Sequence, residues 1–192
     1  MAKKLESTLL NMILSLVLIS MTMSAALGFV YLKTKDPIEI AAKQKEIKAI
    51  EQAVPQFDSD PLSNVTERDG LVIYTLSLKN DIVGYAIKTF TDKGFSGHIE
   101  IMAGFTAQGN IHNVIVLNHK ETPGLGTKMS DPGFSSQFLG KNPVEYELKV
   151  KKDGGDVDAI TAATISSRAY CDALDKAFNT LTAIKDSITV NY

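Results

Sequence analysis

The stretch Asp158-Ala159-Ile160-Thr161-Ala162-Ala163-Thr164-Ile165-Ser166-Ser167 gathers small and hydroxyl-bearing residues directly before a helical pattern. Hydroxyls and free backbone N–H groups at a helix start can seat a phosphate. Ala162 and Ala163 leave space for a bulky group to approach the backbone, and Ser166 and Ser167 add donors. Arg168, within a turn of Thr164, and Lys128 are cations that could pair with such an anion. An ordinary helix cap on Thr161 or Thr164 explains the same residues. Spacing alone leaves both readings open.

A second stretch, His119-Lys120-Glu121-Thr122-Pro123-Gly124-Leu125-Gly126, combines Pro with two Gly residues. Such a loop lets backbone lie close to a flat ligand; a tight surface turn is the plainer alternative. Gly84-Tyr85 and Gly94-Phe95-Ser96-Gly97 form a third set, with close backbone approach at the glycines and apolar surface at Phe95. His119 could relay protons near neutrality, although a loop histidine needs no such role. Met129 could line a ligand or fill the core. Cys171 reads as a buried structural thiol.

These motifs resemble those of the FMN-binding domain family. Its pattern of Asp, two variable residues, a small hydroxyl residue, Gly or Ala, then Ala-Thr is filled by Asp158, Thr161, Ala162, Ala163 and Thr164, with Ala162 where the family usually has Gly. Glu121-Thr122-Pro123-Gly124-Leu125-Gly126 closely resembles a loop beside the flavin in the G subunit of Rnf complexes and the C subunit of sodium-translocating NADH:quinone reductases. The resemblance implies FMN joined to Thr164 through a phosphoester, moved from FAD by a magnesium-dependent flavin transferase that reads Asp158. It places Thr161, Ala163, Ser167, Glu121, Thr122, Gly124, Leu125 and Gly126 around that cofactor. It further implies an electron-transfer subunit of a multisubunit ion-translocating ferredoxin:NAD oxidoreductase, not catalytic alone, with membrane and peripheral subunits as partners. The short chain and Lys120 before Glu121 favour the Rnf G subunit over the quinone-reductase C subunit. A membrane-tethered binding or structural domain without redox chemistry is the remaining alternative.

Positioning these residues requires an α+β domain. Leu71, Ile82, Gly97, Ile111 and Val144 begin runs with strand character, over 71–78, 82–90, 97–103, 111–117 and 144–150. Residues 58–70 read as a loop, and Asp131-Pro132 opens a short helix reaching about Leu139. The last helix is expected over 165–186, with Ala169, Ala173, Leu174, Ala177, Phe178, Leu181 and Ile184 on one face. Val190 could add an edge strand. Hairpins followed by a closing helix indicate a largely antiparallel sheet with flanking helices.

Ahead of the domain, residues 7–32 carry no charged side chain. A helix needs roughly 20 apolar residues to span a bilayer, so this segment reads as a single-pass anchor. Lys3 and Lys4 precede it, and Tyr31, Lys33 and Lys35 follow as interfacial residues. A cleaved signal peptide ending near Ser24-Ala25-Ala26 is the alternative. Asp36-Pro37 reads as N-cap and first turn of a separate amphipathic helix over 38–54. The expected division is an anchor at 1–32, a helical stalk at 33–56 and an FMN-binding domain at 57–192. The anchor suits a bacterial inner (cytoplasmic) membrane with the domain on the extracytoplasmic side, because long domains cross largely regardless of charge.

Composition excludes other classes. Net charge is −2 over 192 residues, so there is no electrostatic footprint for nucleic acid. One cysteine gives no intrachain disulfide, and the three histidines lack metal-ligand spacing.

Overall fold

The computed structural model describes residues 8–189, with side chains through Asp186. The chain divides into two units, Met1–Gln44 and Lys45–Tyr192. Helix α1, Leu9–Ala53, runs through both and is long and apolar enough in its first part to cross a membrane. Lys3, Lys4 and Val190 lie outside the described residues. Helix α1 does not restart at Pro37, which sits inside it. Pro37 forfeits the bond to the Lys33 carbonyl, and this stretch is exposed on every side. Ile38 and Ile40 are exposed accordingly, so only residues 45–54 behave as an amphipathic helix against the sheet.

The second unit is built on five strands: β1 Val65–Arg68, β2 Leu71–Leu78, β3 Asp81–Gly94, β4 Gly97–Thr106 and β5 Ile111–His119. They form an antiparallel meander in order β1-β2-β3-β4-β5. Side chains alternate across a sheet, and both faces are covered here. Leu71, Ile73, Tyr85, Ile87, Ile99, Ile101 and Phe105 pack toward helix α3, Thr164–Thr189. Tyr74, Leu76, Ala86 and Met102 pack with Ala49, Ile50, Ala53 and Val54 at the end of α1. Each fully buried Leu or Ile contributes about 1.5–3 kcal/mol.

Polar ties fix both helices to the sheet. At the end of α1, Lys45 donates to the Leu117 carbonyl, and Glu46 accepts from Tyr74 and, at 2.8 Å, from Lys88. Burial would raise the Glu46 pKa, but the bonds from Lys88 and Tyr74 outweigh it and lower the value. On the other face, Thr89 donates to the Ala173 carbonyl at 3.0 Å, and Asp172 of α3 accepts from Thr91 at 2.7 Å and Lys93 at 2.6 Å. Burial alone would raise the Asp172 pKa; the hydrogen bonds from Lys93, Thr91 and Lys176 hold it at about 2.

A depressed carboxylate stabilises the fold above its unfolded pKa and loses that contribution as pH falls through the folded value. Asp172 should therefore contribute about 2 kcal/mol at neutral pH. That contribution fades between the unfolded Asp pKa of about 3.9 and the folded value of about 2. Asp172→Asn is expected to melt well below the parent at pH 7 and close to it near the folded pKa. A gap that stays constant across this range would contradict the assignment.

Two further elements differ from the sequence reading. Residues 144–150 form no strand. Asn142 turns the chain, with its carbonyl accepting from Glu145 and Tyr146, and Val144 is left 80% exposed. Only Val150 pairs, by an isolated parallel bridge to Val157. Conversely, β1 lies within the expected loop at 58–70. Its residues are mostly exposed, so no apolar alternation marks it. Between β5 and α3 run a 3-10 turn, Gly126–Ser130, then helix α2, Pro132–Ser135, and two further 3-10 turns, Ser136–Phe138 and Lys151–Asp153.

Candidate functional site

The two motifs meet. A cleft of about 310 Å³ is lined by Phe95 from the β3–β4 turn, by Glu121, Thr122, Leu125 and Gly126 from the loop after β5, and by residues 162–166 at the start of α3.

The α3 start is shaped by a buried serine. Ser167 Oγ accepts from the Ile160 N–H at 2.9 Å and donates to the Ala163 carbonyl at 3.0 Å. This bends 160–163 into a turn that places Ala162 at φ 63. Left-handed φ costs a Cβ-bearing residue about 1–2 kcal/mol, which explains why glycine suits this position. Ala162→Gly should relieve that strain, less the entropy gained by the unfolded chain, for a net gain of about 0.5–1 kcal/mol. A raised melting temperature is expected, and a lowered one would contradict the turn geometry.

Thr164, half-buried, is the first residue of α3. The first N–H groups of a helix have no acceptor within it. Among the described residues, no turn or loop carbonyl takes the N–H of Thr164, Ile165 or Ser166. These donors and the helix dipole favour an anion at this spot.

The loop wall is fixed by Glu121, only 4% exposed. Its Oε1 accepts from the Ser96 N–H at 3.0 Å and its Oε2 from the Ser166 hydroxyl at 2.6 Å. One carboxylate thus ties the β3–β4 turn, the loop and α3 together. Gly126 lies against this clamp: a Cβ there would fall 2.5 Å from Glu121 Oε2 and 2.7 Å from Ser166 Oγ. Gly124 has φ +76, and its N–H donates to Thr127 Oγ1 at 3.0 Å. The Thr122 carbonyl accepts from Leu125 at 3.2 Å, closing the turn that presents Leu125.

Around the mouth, Phe95 is 66% exposed, Ile165 47% and Leu125 40%. Three exposed apolar side chains around one concavity are what a flat ligand needs. Among the described residues, no cation lines the cleft. The arrangement can therefore hold a planar ring among Phe95, Leu125 and Ile165 with an anionic group on the α3 start, and FMN has those two parts.

Other expected residues sit elsewhere. Asp158 lies outside the cleft lining, paired with Lys151 at 2.7 Å while its N–H donates to Gln137 at 2.8 Å. Thr161 is exposed within the turn and outside the cleft lining, and Ser167 is buried beneath it. Arg168 is engaged by Asp153 in a two-point ion pair at 2.6 and 2.7 Å, and Lys128 also lies outside the lining. Met129 is fully buried in the core, so it fills space instead of facing a ligand. His119 Nδ1 accepts from the Glu121 N–H at 3.2 Å and supports the loop. Cys171 is buried, and burial pushes its thiol up to about 12, which makes it inert. Ile165 went unmarked as a site residue in the sequence, because it also fits the apolar stripe of α3.

Comparison with known proteins adds four findings. The FMN-binding domain family matches residues 94–179. The chain is 32% identical over 180 residues to the G subunit of the ion-translocating oxidoreductase complex of Methanosarcina acetivorans, covering 90% of this chain and 94% of that protein. It is 34% identical to the protein of the same name from Aliivibrio fischeri, covering 85% and 86%. Among solved structures, Shewanella oneidensis NqrC is similar at 19% identity and a TM-score of 0.46, over 70% of this chain and 74% of that one.

Proposed function

We propose a role that begins from kinship: the chain belongs to the G-subunit family of ion-translocating oxidoreductase complexes. Within that family it acts as a membrane-anchored, FMN-carrying electron-transfer subunit. It relays electrons inside an Rnf-type complex that couples ferredoxin and NAD redox chemistry to ion transport. The observation that carries the reading is the position of Thr164, on a cleft wall facing the Glu121–Gly126 loop.

FMN bound there supplies the redox chemistry, and the chain contributes position and surroundings. Thr164 Oγ is the acceptor of the FMN phosphate. Attachment would break the Thr164 O–H bond and the phosphoanhydride P–O bond of FAD, form one Oγ–P bond, and release AMP and a proton, under a magnesium-dependent flavin transferase that reads Asp158. The N–H groups of the first α3 turn hold the phosphate. Phe95, Leu125 and Ile165 keep water from the ring, and Glu121 holds the walls at their spacing. Thr122 and Ala163 line the cleft beside the cofactor, Gly126 leaves room for the Glu121–Ser166 bond, and Gly124 forms the turn that presents Leu125. Ser167 acts from beneath, by shaping the turn.

Helix α1 holds the carrier in the inner membrane beside the other membrane and peripheral subunits, with the FMN domain on the extracytoplasmic side. Covalent attachment suits that side, where free FMN would be lost. The C subunit of a sodium-translocating NADH:quinone reductase would use the same flavin chemistry. The near-complete coverage of relatives that carry the G-subunit name favours the first assignment.

The test is production of the full chain with and without a flavin transferase. Fluorescence in a denaturing gel and a mass gain of one FMN less one water, both dependent on the transferase, are expected. No gain with an active transferase would leave a tethered domain without redox function.

A further inference from the structure

A larger concavity lies on the other side of Ile165. It measures about 530 Å³ and is lined by Lys93, Leu148, Val150, Arg168, Cys171 and Asp172, among others. Ile165 lines both clefts. Thr164, Arg168, Cys171 and Asp175 are spaced by four, three and four residues, so they fall on one face of α3. Thr164 therefore heads the stripe whose following turns form a wall of the second cleft. At 1.5 Å per residue, Arg168 lies about 6 Å and Cys171 about 10 Å along the axis from it.

The chemistry of this cleft is specific. Its floor is apolar: Leu148, Val150 and Cys171 are buried. The cations that line it already have partners. Lys93 pairs with Asp172 at 2.6 Å, Lys149 with Glu147 at 2.5 Å and Arg168 with Asp153 at 2.6 Å. The Asp175 carboxylate, which accepts from Asn179 at 3.0 Å, completes the rim. Three closed ion pairs and one further carboxylate over an apolar floor offer little to a second phosphate and suit an uncharged flat ring.

We propose that this cleft is a second seat for the flavin ring tethered at Thr164. The inference rests on Thr164 being the point of attachment. The phosphate stays on the α3 start while the ring lies either against Phe95 and Leu125 or, across Ile165, over Leu148 and Cys171. A carrier that must take electrons from one partner and give them to another could present its ring on two faces without detaching.

The chain contains no Trp, so an introduced Trp reports contact with the flavin, whose emission it quenches on stacking. The full-length flavin-loaded protein, with loading verified by intact mass, is compared with Phe95→Trp in the first cleft. Lys149→Trp and Glu147→Trp, both at exposed positions, probe the rim of the second. Phe95→Trp and at least one rim variant are expected to add a short-lived component to the flavin emission decay. Loaded rim variants that both decay like the parent, while Phe95→Trp is quenched, would overturn the second seat alone. A chain carrying no covalent flavin by mass would overturn the assignment of Thr164 and this proposal with it.

Discussion

Thr164→Ala is expected to abolish covalent flavin completely while leaving the fold intact. The Thr164 hydroxyl makes no side-chain hydrogen bond among the described residues, so its loss removes an acceptor atom and little else. Substitutions without a structural partner usually stay within about 0.5 kcal/mol, which is about 1–2 °C in melting temperature for a domain of this size. Gel fluorescence should vanish while the melting curve overlays the parent. Retained fluorescence would move the attachment elsewhere. Lost fluorescence with a collapsed melting curve would reduce Thr164 to a structural residue.

Gly104→Ala is expected to produce the largest loss of stability. Gly104 faces the end of α1, and a Cβ there would fall 1.8 Å from the Ala53 carbonyl oxygen and 2.3 Å from its carbon. Both are backbone atoms, so no side-chain rotation relieves the clash. Either α1 lifts off β4, exposing Ile50, Ala53, Tyr74 and Met102, or the strand shifts. Overpacking of this kind costs about 1–3 kcal/mol and more where backbone must move. A denaturation midpoint well below the parent is expected. An unchanged midpoint would contradict the packing of residues 45–54 on the sheet.

The fold was legible where one face of an element is buried and the other is not. Strands β2 to β5 carry β-branched residues between turn residues, and α3 carries its apolar stripe at helical spacing. It was not legible where that contrast is missing. Strand β1 is an exposed edge, and residues 144–150 look strand-like only because Val144, Leu148 and Val150 alternate with polar neighbours. Asp36-Pro37 imitates a helix start, but a continuing helix also accommodates it.

At the site, both motifs could be found from their residue types, and their meeting could not. Sequence distance hides that Glu121 reaches Ser166 across forty-five positions. Arg168 looked available because its spacing from Thr164 is visible, whereas its partner Asp153 is set by the 3-10 turn Lys151–Asp153. Met129 looked apolar and near the loop, which is equally true of a core residue. Its burial decides the matter.

The central claim is the identity of the residue that carries the flavin. Tandem mass spectrometry of the tryptic peptide spanning residues 153–168, from protein made with a flavin transferase, tests it most directly. That peptide holds four hydroxyl residues, Thr161, Thr164, Ser166 and Ser167. Fragment ions that retain the flavin phosphate from Thr164 onward, and not at Thr161, are expected. A flavin mapped to Thr161, Ser166 or Ser167, or a peptide found entirely unmodified, would contradict the account.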